Sequence, residues 1–568
     1  MSDPDRNWDF YLRTLSNSAR DSNLATDPAA DPSLVNAVKK LYELCKEEKN
    51  EDLVARVYPH FNKLFQRSVA SLSQSRTSNS ILLLAIIQFF LDFSEMVLHD
   101  ADPSLRTFFR SCLSREFADP TVAEATLDFL NVNKRKLLTS FPTLLPQFFP
   151  LLLKLIAWNG EKLEKAFLKV FPALMSPASF LLLLSSLVDL PILVVALEKV
   201  EKNSGPLIGS NIATIQKSSA PEMQMLLALM DEAYTGSTIA DGGGDSESED
   251  SSAIDVADPL FLELLKDEND GLAERHWTNP TMAATLQAAI NIPQSERLKQ
   301  ILKMTPRFLD MYFSIALRDV NDSLICALIP QLMTRNATLF LDKNFSYEVR
   351  RRLLEFMLAA FQRSPDFIAL LKKPIADKLG EAYDSPAKME LALQLCWAIG
   401  EHGGGGASHK DAARELFENL ELLLYENLSS SRLGLRQEAL TAESEKYRKS
   451  SQSRLLCFVV TAIAKLATYH RELLPRARVS LGKVARSRIS DARVWKRACD
   501  YLGLMSDPAI CLSILGPSQP SRGMQHPGTV NWSEGGKKMV GHIPFYILGE
   551  QEGPPFHDFA LSDILPRR

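Results

Sequence analysis

The stretch MELALQLCWAI from Met389 to Ile399, followed by Gly400 and Glu401, decides the fold that the sequence predicts. Its apolar side chains cover most of the circumference of a helix, and such a helix must lie inside a stack of helices. Because glycine has no Cβ, Gly400 is expected to take a left-handed C-terminal cap and to turn the chain. The plainer alternative is an ordinary helix that ends in a turn.

A residue that can cap a helix precedes proline at several places, namely at Asp102, Asp119, Ser176, Asp258, Asn279, Thr305, Ser364, Ser385 and Asp507. A capping side chain satisfies an unpaired amide, and proline at the first helical position loses no hydrogen bond. Apolar runs of helical length follow most of these sites, and no convincing series of strands intervenes. The pattern predicts an all-α solenoid of HEAT- or armadillo-like helical repeats, with a globular helical bundle as the alternative.

Composition excludes several classes of protein. At 568 residues the chain is too long for one compact core, and 46% apolar and 23% charged residues are ordinary values for a soluble folded protein. A net charge of −5 disfavours nucleic acid as a partner. The seven cysteines are widely spaced, which predicts mostly buried free thiols and no zinc or redox pair.

The sequence predicts a cytosolic protein. Met1 to Asp9 is acidic and lacks the apolar region of a secretory signal. Phe180 to Leu197 has about the minimum length of a membrane span, but Asp189 and Pro191 lie in its middle. Two short buried helices that meet at Pro191 explain this segment better.

Three stretches interrupt the helical pattern. Residues 236–257 combine glycine, serine and acidic residues without a basic residue, so we expect a disordered acidic loop. Residues 401–408 contain four consecutive glycines and predict a flexible turn between paired helices. Residues 516–568 are rich in proline and glycine and are expected to be largely disordered, with an acidic, aromatic part that docks on a partner or on its own solenoid. The predicted parts are therefore an N-terminal repeat half (1–235), the acidic loop (236–257), a C-terminal repeat half (258–515) and the tail (516–568).

No catalytic site is predicted. Gly535, Gly536, Lys537 and Lys538 lack the first glycine and the hydroxyl of a phosphate-binding loop. No Gly-x-Ser-x-Gly motif occurs, and the nine histidines are scattered. We therefore expect no enzymatic activity, no cofactor and no metal; ATP binding or nucleotide hydrolysis by the purified protein would favour an enzyme instead.

The strongest charge feature lies between Arg471 and Arg497, where nine basic residues accompany only Glu472 and Asp491. Helical spacing would let parts of two helices present one basic face, which suits anionic lipid headgroups or an acidic partner. The alternative is a solvated face whose charges pair with an adjacent helix. The candidate residues are Arg476, Lys483, Arg486, Arg488, Arg493 and Arg497.

Several pieces of the sequence, taken in order, resemble the zeta subunits of the fifth adaptor protein complex. Trp397, Gly400 and Glu401 match the Trp-x-x-Gly-Glu signature of adaptor large subunits, and Trp158 and Asn159 belong to an earlier matching stretch, 151–197. Further pieces follow at 416–424 and 461–481. The resemblance anchors residues 140 to 515 and implies an adaptin-trunk-like solenoid in which these motif residues are structural. It further implies that Trp397 fills a core and that Glu401 hydrogen-bonds nearby backbone amides.

The same resemblance implies a non-enzymatic scaffold, the large subunit of a heterotetrameric adaptor complex in endosomal vesicle-mediated protein transport. Its implied partners are beta-type large, medium and small adaptor subunits and spatacsin- and spastizin-like proteins, with an anionic membrane surface as a further candidate. Its implied location is cytoplasmic, peripheral to late endosome and lysosome membranes. Leu422 to Glu426 is close to a clathrin-box peptide, but its helical apolar spacing predicts core packing, so we expect no direct clathrin binding. The alternative function is a helical-repeat scaffold outside trafficking, such as a nuclear transport or DNA-repair platform.

Overall fold

A computed structural model describes most of the chain, and the residues it describes are almost all helical. Among these described residues there is no β-strand, so the prediction of an all-α fold is confirmed. The described residues are 8, 10–15, 32–48, 51–71, 80–204, 208–212, 214–215, 264–269, 294–404, 409–428, 442–487, 491–507, 509, 511 and 515.

The chain forms two compact units, unit 1 (Met1–Phe308) and unit 2 (Leu309–Arg568). The boundary falls within a long helix, α10 (Glu296–Asp319). The predicted division at 236–257 lies outside the described residues and stays a prediction, as does the tail 516–568.

The core of unit 1 contains the apolar helix α3 (Ser80–Val97), which has the sequence SILLLAIIQFFLDFSEMV. Its polar side chains Gln88, Asp92 and Glu95 form only a narrow stripe, and the helix packs against α1, α2, α4 and α5. The helix α6 is similarly apolar and packs against α5, α8 and α9. The helices of this unit that precede α10 are α1 (Pro32–Glu48), α2 (Glu51–Ser71), α3 (Ser80–Val97), α4 (Ala101–Thr107, continued by a π-helical turn Phe108–Leu113), α5 (Pro120–Ser140), α6 (Leu144–Asn159), α7 (Glu164–Val170), α8 (Phe180–Val188) and α9 (Leu190–Ser204).

By length and composition alone, the described residues contain one helix that could cross a membrane, α3. The helices α8 and α9 together pass the same test, but they are bent by 65°. Two short helices occur here as predicted, and the break between them lies at Asp189, with Pro191 in the first turn of α9. The core position of α3 accounts for its composition without a membrane.

Unit 2 consists of helical hairpins stacked in two layers. The helices α15, α17 and α19 pack side by side in one layer, and α14 packs against α16 in the other. Each hairpin buries its apolar stripe against the next, as in helical-repeat proteins. The helices that follow α10 are α11 (Asp322–Arg335), α12 (Lys343–Arg363), α13 (Phe367–Leu370), α14 (Lys372–Gly380), α15 (Pro386–His402), α16 (Lys410–Leu428), α17 (Ala442–Tyr469), α18 (Leu474–Arg486) and α19 (Ala492–Leu504).

The predicted helix starts are partly right. Asp119 caps α5 and Ser385 caps α15, each with proline at the start of the helix. Asp102 lies inside α4, whose cap is Asp100. Thr305 is wrong as a start, because Pro306 lies inside α10 and the side chain of Ser295 bonds the amide of Leu298 at the true beginning. A proline in a helix interior loses one hydrogen bond, and here tertiary packing overrides that signal.

The seven cysteines are free, and five of them are buried. This confirms the prediction of mostly buried thiols without a disulfide. Cys326 and Cys499 are the partly exposed ones.

Candidate interaction surfaces

The motif Trp397–Glu401 lies in the last turns of α15, where this helix crosses α17. The prediction that Gly400 turns the chain is wrong, because α15 continues to His402 and ends at Gly403, whose φ of −71° is right-handed. A Cβ on Gly400 would lie 3.2 Å from the Cα of Ala462 and 3.6 Å from its Cβ. The absent side chain therefore lets the two helices approach closely, which is a different use of glycine from a left-handed cap.

Glu401 forms an interhelical ion pair with the Nζ of Lys465 on α17. The side chains are 11% and 6% exposed, so the pair is largely removed from water. That Glu401 bonds backbone amides stays a prediction; its ion-pair partner is Lys465 on the neighbouring helix of the stack. Since each charge compensates the other, the pair fixes how α15 and α17 cross.

Trp397 is only half-buried, so the prediction that it fills a core is wrong. Its ring meets the ring of His402 edge-on, with centroids 5.8 Å apart. Trp397 and Glu401 are four residues apart and share the less buried stripe of α15, whereas Ala398 and Ile399 point into the core.

Trp158 and Asn159 form a corner of unit 1 at the end of α6. The guanidinium of Arg297 lies 3.6 Å from the centroid of the Trp158 ring, a cation–π contact. Asn159 donates from Nδ2 to the carbonyls of Phe117 (3.0 Å) and Leu155 (2.9 Å). The first of these bonds ties α6 to the end of the helical segment that continues α4. An open pocket of about 500 Å³ lies here, lined by Trp158, Asn159, Glu161, Lys162, Arg297 and Gln300.

The predicted basic face begins with Arg476 on α18, which pairs with α16. Its guanidinium lies 2.9 Å from Glu418 and 2.6 Å from the buried Glu421. The hydrogen bond to Glu418 raises the pKa of Arg476. Its charge is thus matched by the adjacent helix, which is what the alternative interpretation predicted for this residue.

Lys483 lies farther along α18, with its Nζ 4.2 Å from the centroid of the Tyr425 ring on α16. The hydroxyl of Tyr425 is 2.7 Å from that of Ser480, which also donates to Glu421. Together with the Arg476 pairs, these contacts show that α16 and α18 run in parallel register.

Two exposed apolar side chains lie on the surface of these helices. Leu422 of α16 is 61% exposed and Val479 of α18 is 59% exposed. Because α16 and α18 run parallel, both side chains lie between the contacts of Arg476 and those of Lys483. Of the clathrin-box-like stretch, Leu423 and Leu424 are buried as predicted, whereas Leu422 is exposed.

The remaining basic candidates do not share one face. Arg497 is 5% exposed and donates to the hydroxyl of Thr461, 3.2 Å away, so its placement on an exposed face is wrong: its side chain crosses the α17–α19 interface. Arg493 pairs with Asp491, the N-cap residue of α19, at 3.1 Å. Arg486 is exposed at the end of α18, and Arg488 lies outside the described residues.

The sequence identified several of these residues but not the residues that they contact. Lys465 was part of the matching stretch but was not paired with Glu401, because 64 residues separate them. Lys154, a lysine inside the apolar helix α6, was a signal of a buried polar contact that sequence reasoning overlooked.

Comparisons with known proteins match the chain in two stretches. A family model described as an AP-5 complex subunit in vesicle trafficking matches residues 29–154. A second model, for the C-terminal TPR repeats of AP-5 complex subunit zeta-1, matches residues 250–532. The second match agrees with the hairpin stacking of unit 2 and confirms the predicted helical-repeat fold class.

Similar full-length proteins are the AP-5 complex subunits zeta-1 of mouse and human. The mouse protein is 23% identical over 503 residues, which are 85% of this chain and 55% of the mouse protein. The human protein is 24% identical over 451 residues, which are 77% of this chain and 50% of the human protein. The chain thus spans about half the length of the curated relatives it matches. No solved structure matches it.

Proposed function

This chain belongs to the family of AP-5 complex zeta subunits, and on that premise we propose that it is a scaffold subunit of a heterotetrameric adaptor complex in vesicle-mediated protein transport. The observation that carries the proposal is that both family matches fall in chain order, one in each half. Stacked hairpins suit this role, because they hold partners along an extended surface without a catalytic site.

The proposed partners are a beta-type large, a medium and a small adaptor subunit, together with spatacsin- and spastizin-like proteins. The proposed location is the cytoplasmic face of late endosomes and lysosomes. Binding to clathrin is not part of the proposal, since Leu423 and Leu424 are buried in α16 and unavailable as an extended peptide.

We further propose that the exposed surface of α16 and α18 is a partner or lipid-headgroup face. Leu422 and Val479 supply apolar area, and Lys483 and Arg486 supply positive charge at one end. A mixed apolar and basic surface is typical of protein interfaces with an acidic rim on the partner. Arg476 contributes less charge than the sequence suggested, because Glu418 and Glu421 pair with it.

Affinity purification of the tagged chain from its native cells, with mass spectrometry, tests the scaffold proposal. We expect the other three adaptor subunits in near-equal amounts. Recovery of nuclear transport or DNA-repair proteins without adaptor subunits would leave the fold intact and refute the proposed function.

The charge-reversed pair Lys483→Glu and Arg486→Glu tests the face, with Lys343→Glu on α12 and Lys373→Glu on α14 as a matched control. We expect the first pair, and not the second, to lower recovery of partners or flotation with vesicles that contain phosphatidylserine. Equal recovery and equal flotation for both pairs would refute this face.

A further inference from the structure

Residues 264–269 lie in a groove of unit 1 between α6 and the π-helical turn that continues α4. The segment has the sequence LLKDEN and follows α9 in the chain by many residues. Leu264 and Leu265 are 4% and 0% exposed. The segment is almost wholly non-helical, so its main chain must find hydrogen-bond partners outside itself.

The groove has a buried cation at its base, Lys154 of α6, whose side chain is 0% exposed. Its Nζ donates to the carbonyl oxygen of Leu265 and lies 2.7 Å from an oxygen of Asp267. The helix around it is apolar, and a lysine left unpaired there would be strongly unfavourable. The segment therefore supplies the counter-charge of Lys154.

The rim of the groove recognises the next acidic residue. Arg110 grips Glu268 with two hydrogen bonds, 2.6 Å from Nε and 2.9 Å from Nη2, and Gln147 donates to the same carboxylate at 2.5 Å. Such a two-pronged arginine–carboxylate contact is specific in geometry as well as charge. The hydrogen bond from Arg110 lowers the pKa of Glu268, so this carboxylate is ionised at neutral pH.

The groove also binds the main chain of the segment. The amide of Asn269 donates to the carbonyl of Gln147 at 2.7 Å, and its side chain donates to the carbonyl of Pro146 at 3.3 Å. With the bond from Lys154 to the carbonyl of Leu265, the contacts cover both ends of the segment. Two leucine sites, a buried cation, a two-pronged arginine and main-chain bonds are the parts of a peptide-binding site.

We propose that this groove is a binding site for short acidic peptides of the pattern Leu-Leu-x-Asp-Glu, and that residues 264–269 occupy it as a tethered ligand that a peptide of the same chemistry can replace. The tether keeps the local concentration of the segment high, so an untethered peptide binds measurably only when the tether is cut or the segment is released. This inference does not depend on membership of an adaptor complex.

The test uses the full chain with recognition sites for a specific protease inserted between Gly242 and Gly243 and between Thr278 and Asn279. A fluorescein-labelled peptide with the sequence of residues 260–272 is followed by fluorescence anisotropy before and after cleavage. We expect no binding to the uncut chain and saturable binding to the cut chain, with unlabelled peptide as competitor.

Variants test whether the peptide binds in the groove. Arg110→Glu should weaken binding at least about tenfold, and a peptide with arginine in place of Glu268 should restore part of the loss. Arg135→Glu, an exposed substitution on α5, is the matched control and should bind like the parent. Lys154→Met fills the same space without the charge and should also bind weakly.

Any of three results would overturn the inference. One is a cut chain that stays folded by circular dichroism yet takes up no peptide over days at hundredfold excess. Another is a chain that unfolds when it is cut, because the segment would then be an integral part of unit 1. Equal binding to the parent and to Arg110→Glu would likewise refute the assignment to this groove.

Discussion

Two lysines in this protein are almost completely buried and paired with carboxylates, but in two different kinds of structure. Lys465 in unit 2 pairs with Glu401 across two stacked helices. Lys154 in unit 1 pairs with Asp267, which belongs to a non-helical segment and not to a neighbouring helix. The partner is part of the repeat stack in one place and a separate piece of chain in the other.

The two ion pairs differ in how much of the fold must move to separate their charges. Separating Glu401 from Lys465 requires two helices of unit 2 to move apart, together with the close contact at Gly400. Separating Asp267 from Lys154 requires only that residues 264–269 leave their groove. Burial of Lys154 lowers its pKa and Asp267 opposes that shift, so the charged form of this lysine depends on the segment. We infer that one pair is a fixed element of the fold and the other is the basis of an exchangeable contact.

The largest expected effect is on the fixed pair. Glu401→Ala leaves Lys465 buried without its counter-charge and should destabilise unit 2 by about 3–5 kcal/mol. Urea unfolding followed by circular dichroism measures the change. The double variant Glu401→Leu with Lys465→Met should regain most of the lost stability, because it buries no charge; a double variant as unstable as the single one would show that the pair itself is not the cause.

The close approach of α15 and α17 gives the second prediction. Gly400→Ala places a methyl group 3.2 Å from the backbone of Ala462, which cannot move aside as a flexible side chain can, and should cost about 1–3 kcal/mol. Gly503 of α19 is the control, since nothing lies within 4 Å of the position of its Cβ. Gly503→Ala should be neutral or stabilise by up to about 1 kcal/mol. The melting temperature should therefore fall for Gly400→Ala and stay unchanged or rise for Gly503→Ala.

The third prediction compares the half-buried Trp397 with a fully buried leucine on the same helix. Trp397 is half-buried, so Trp397→Ala should cost less than the roughly 3–5 kcal/mol of a fully buried tryptophan. Leu395, on the same helix, is fully buried, and Leu395→Ala should cost about 2–5 kcal/mol. If Trp397→Ala proved the more destabilising of the two in urea unfolding, the half-buried position of the ring would be refuted.

The smallest expected effect is the pH dependence of the exchangeable contact. The pKa of Glu268 is lowered from 4.5, chiefly by its hydrogen bond from Arg110. A lowered pKa of a carboxyl group in the folded state means that its stabilising contribution is present above pH 4.5 and is lost as the pH falls below that value.

Melting temperatures of the parent and of Glu268→Gln measure this contribution. The difference between them should be constant near neutral pH and should shrink as the pH falls below 4.5. Glu124→Gln, an exposed substitution on α5, serves as the control and should give no such convergence. A difference that grew on acidification would contradict the sign of the shift.

Local patterns predicted the helices and several of their ends. The capping residues Asp119 and Ser385 act over a few residues, so the sequence around them contains all the information needed. Thr305 shows where such local reasoning fails, since the same capping signal was overridden by the packing of a longer helix. At Trp397–Glu401 the helix itself was predicted, but the turn at Gly400 was wrong, because α15 continues to His402.

The sequence by itself determined an all-α protein with stacked amphipathic helices, free thiols and a resemblance to one family, because these properties depend on composition, periodicity and local capping. The tertiary structure decided which buried charges meet. Glu401 and Lys465, and Lys154 and Asp267, are far apart in the chain, and no periodic pattern joins them. It also decided that Gly400 is a point of helix contact and that Arg497 is buried, since both follow from what a neighbouring helix brings to within a few ångströms.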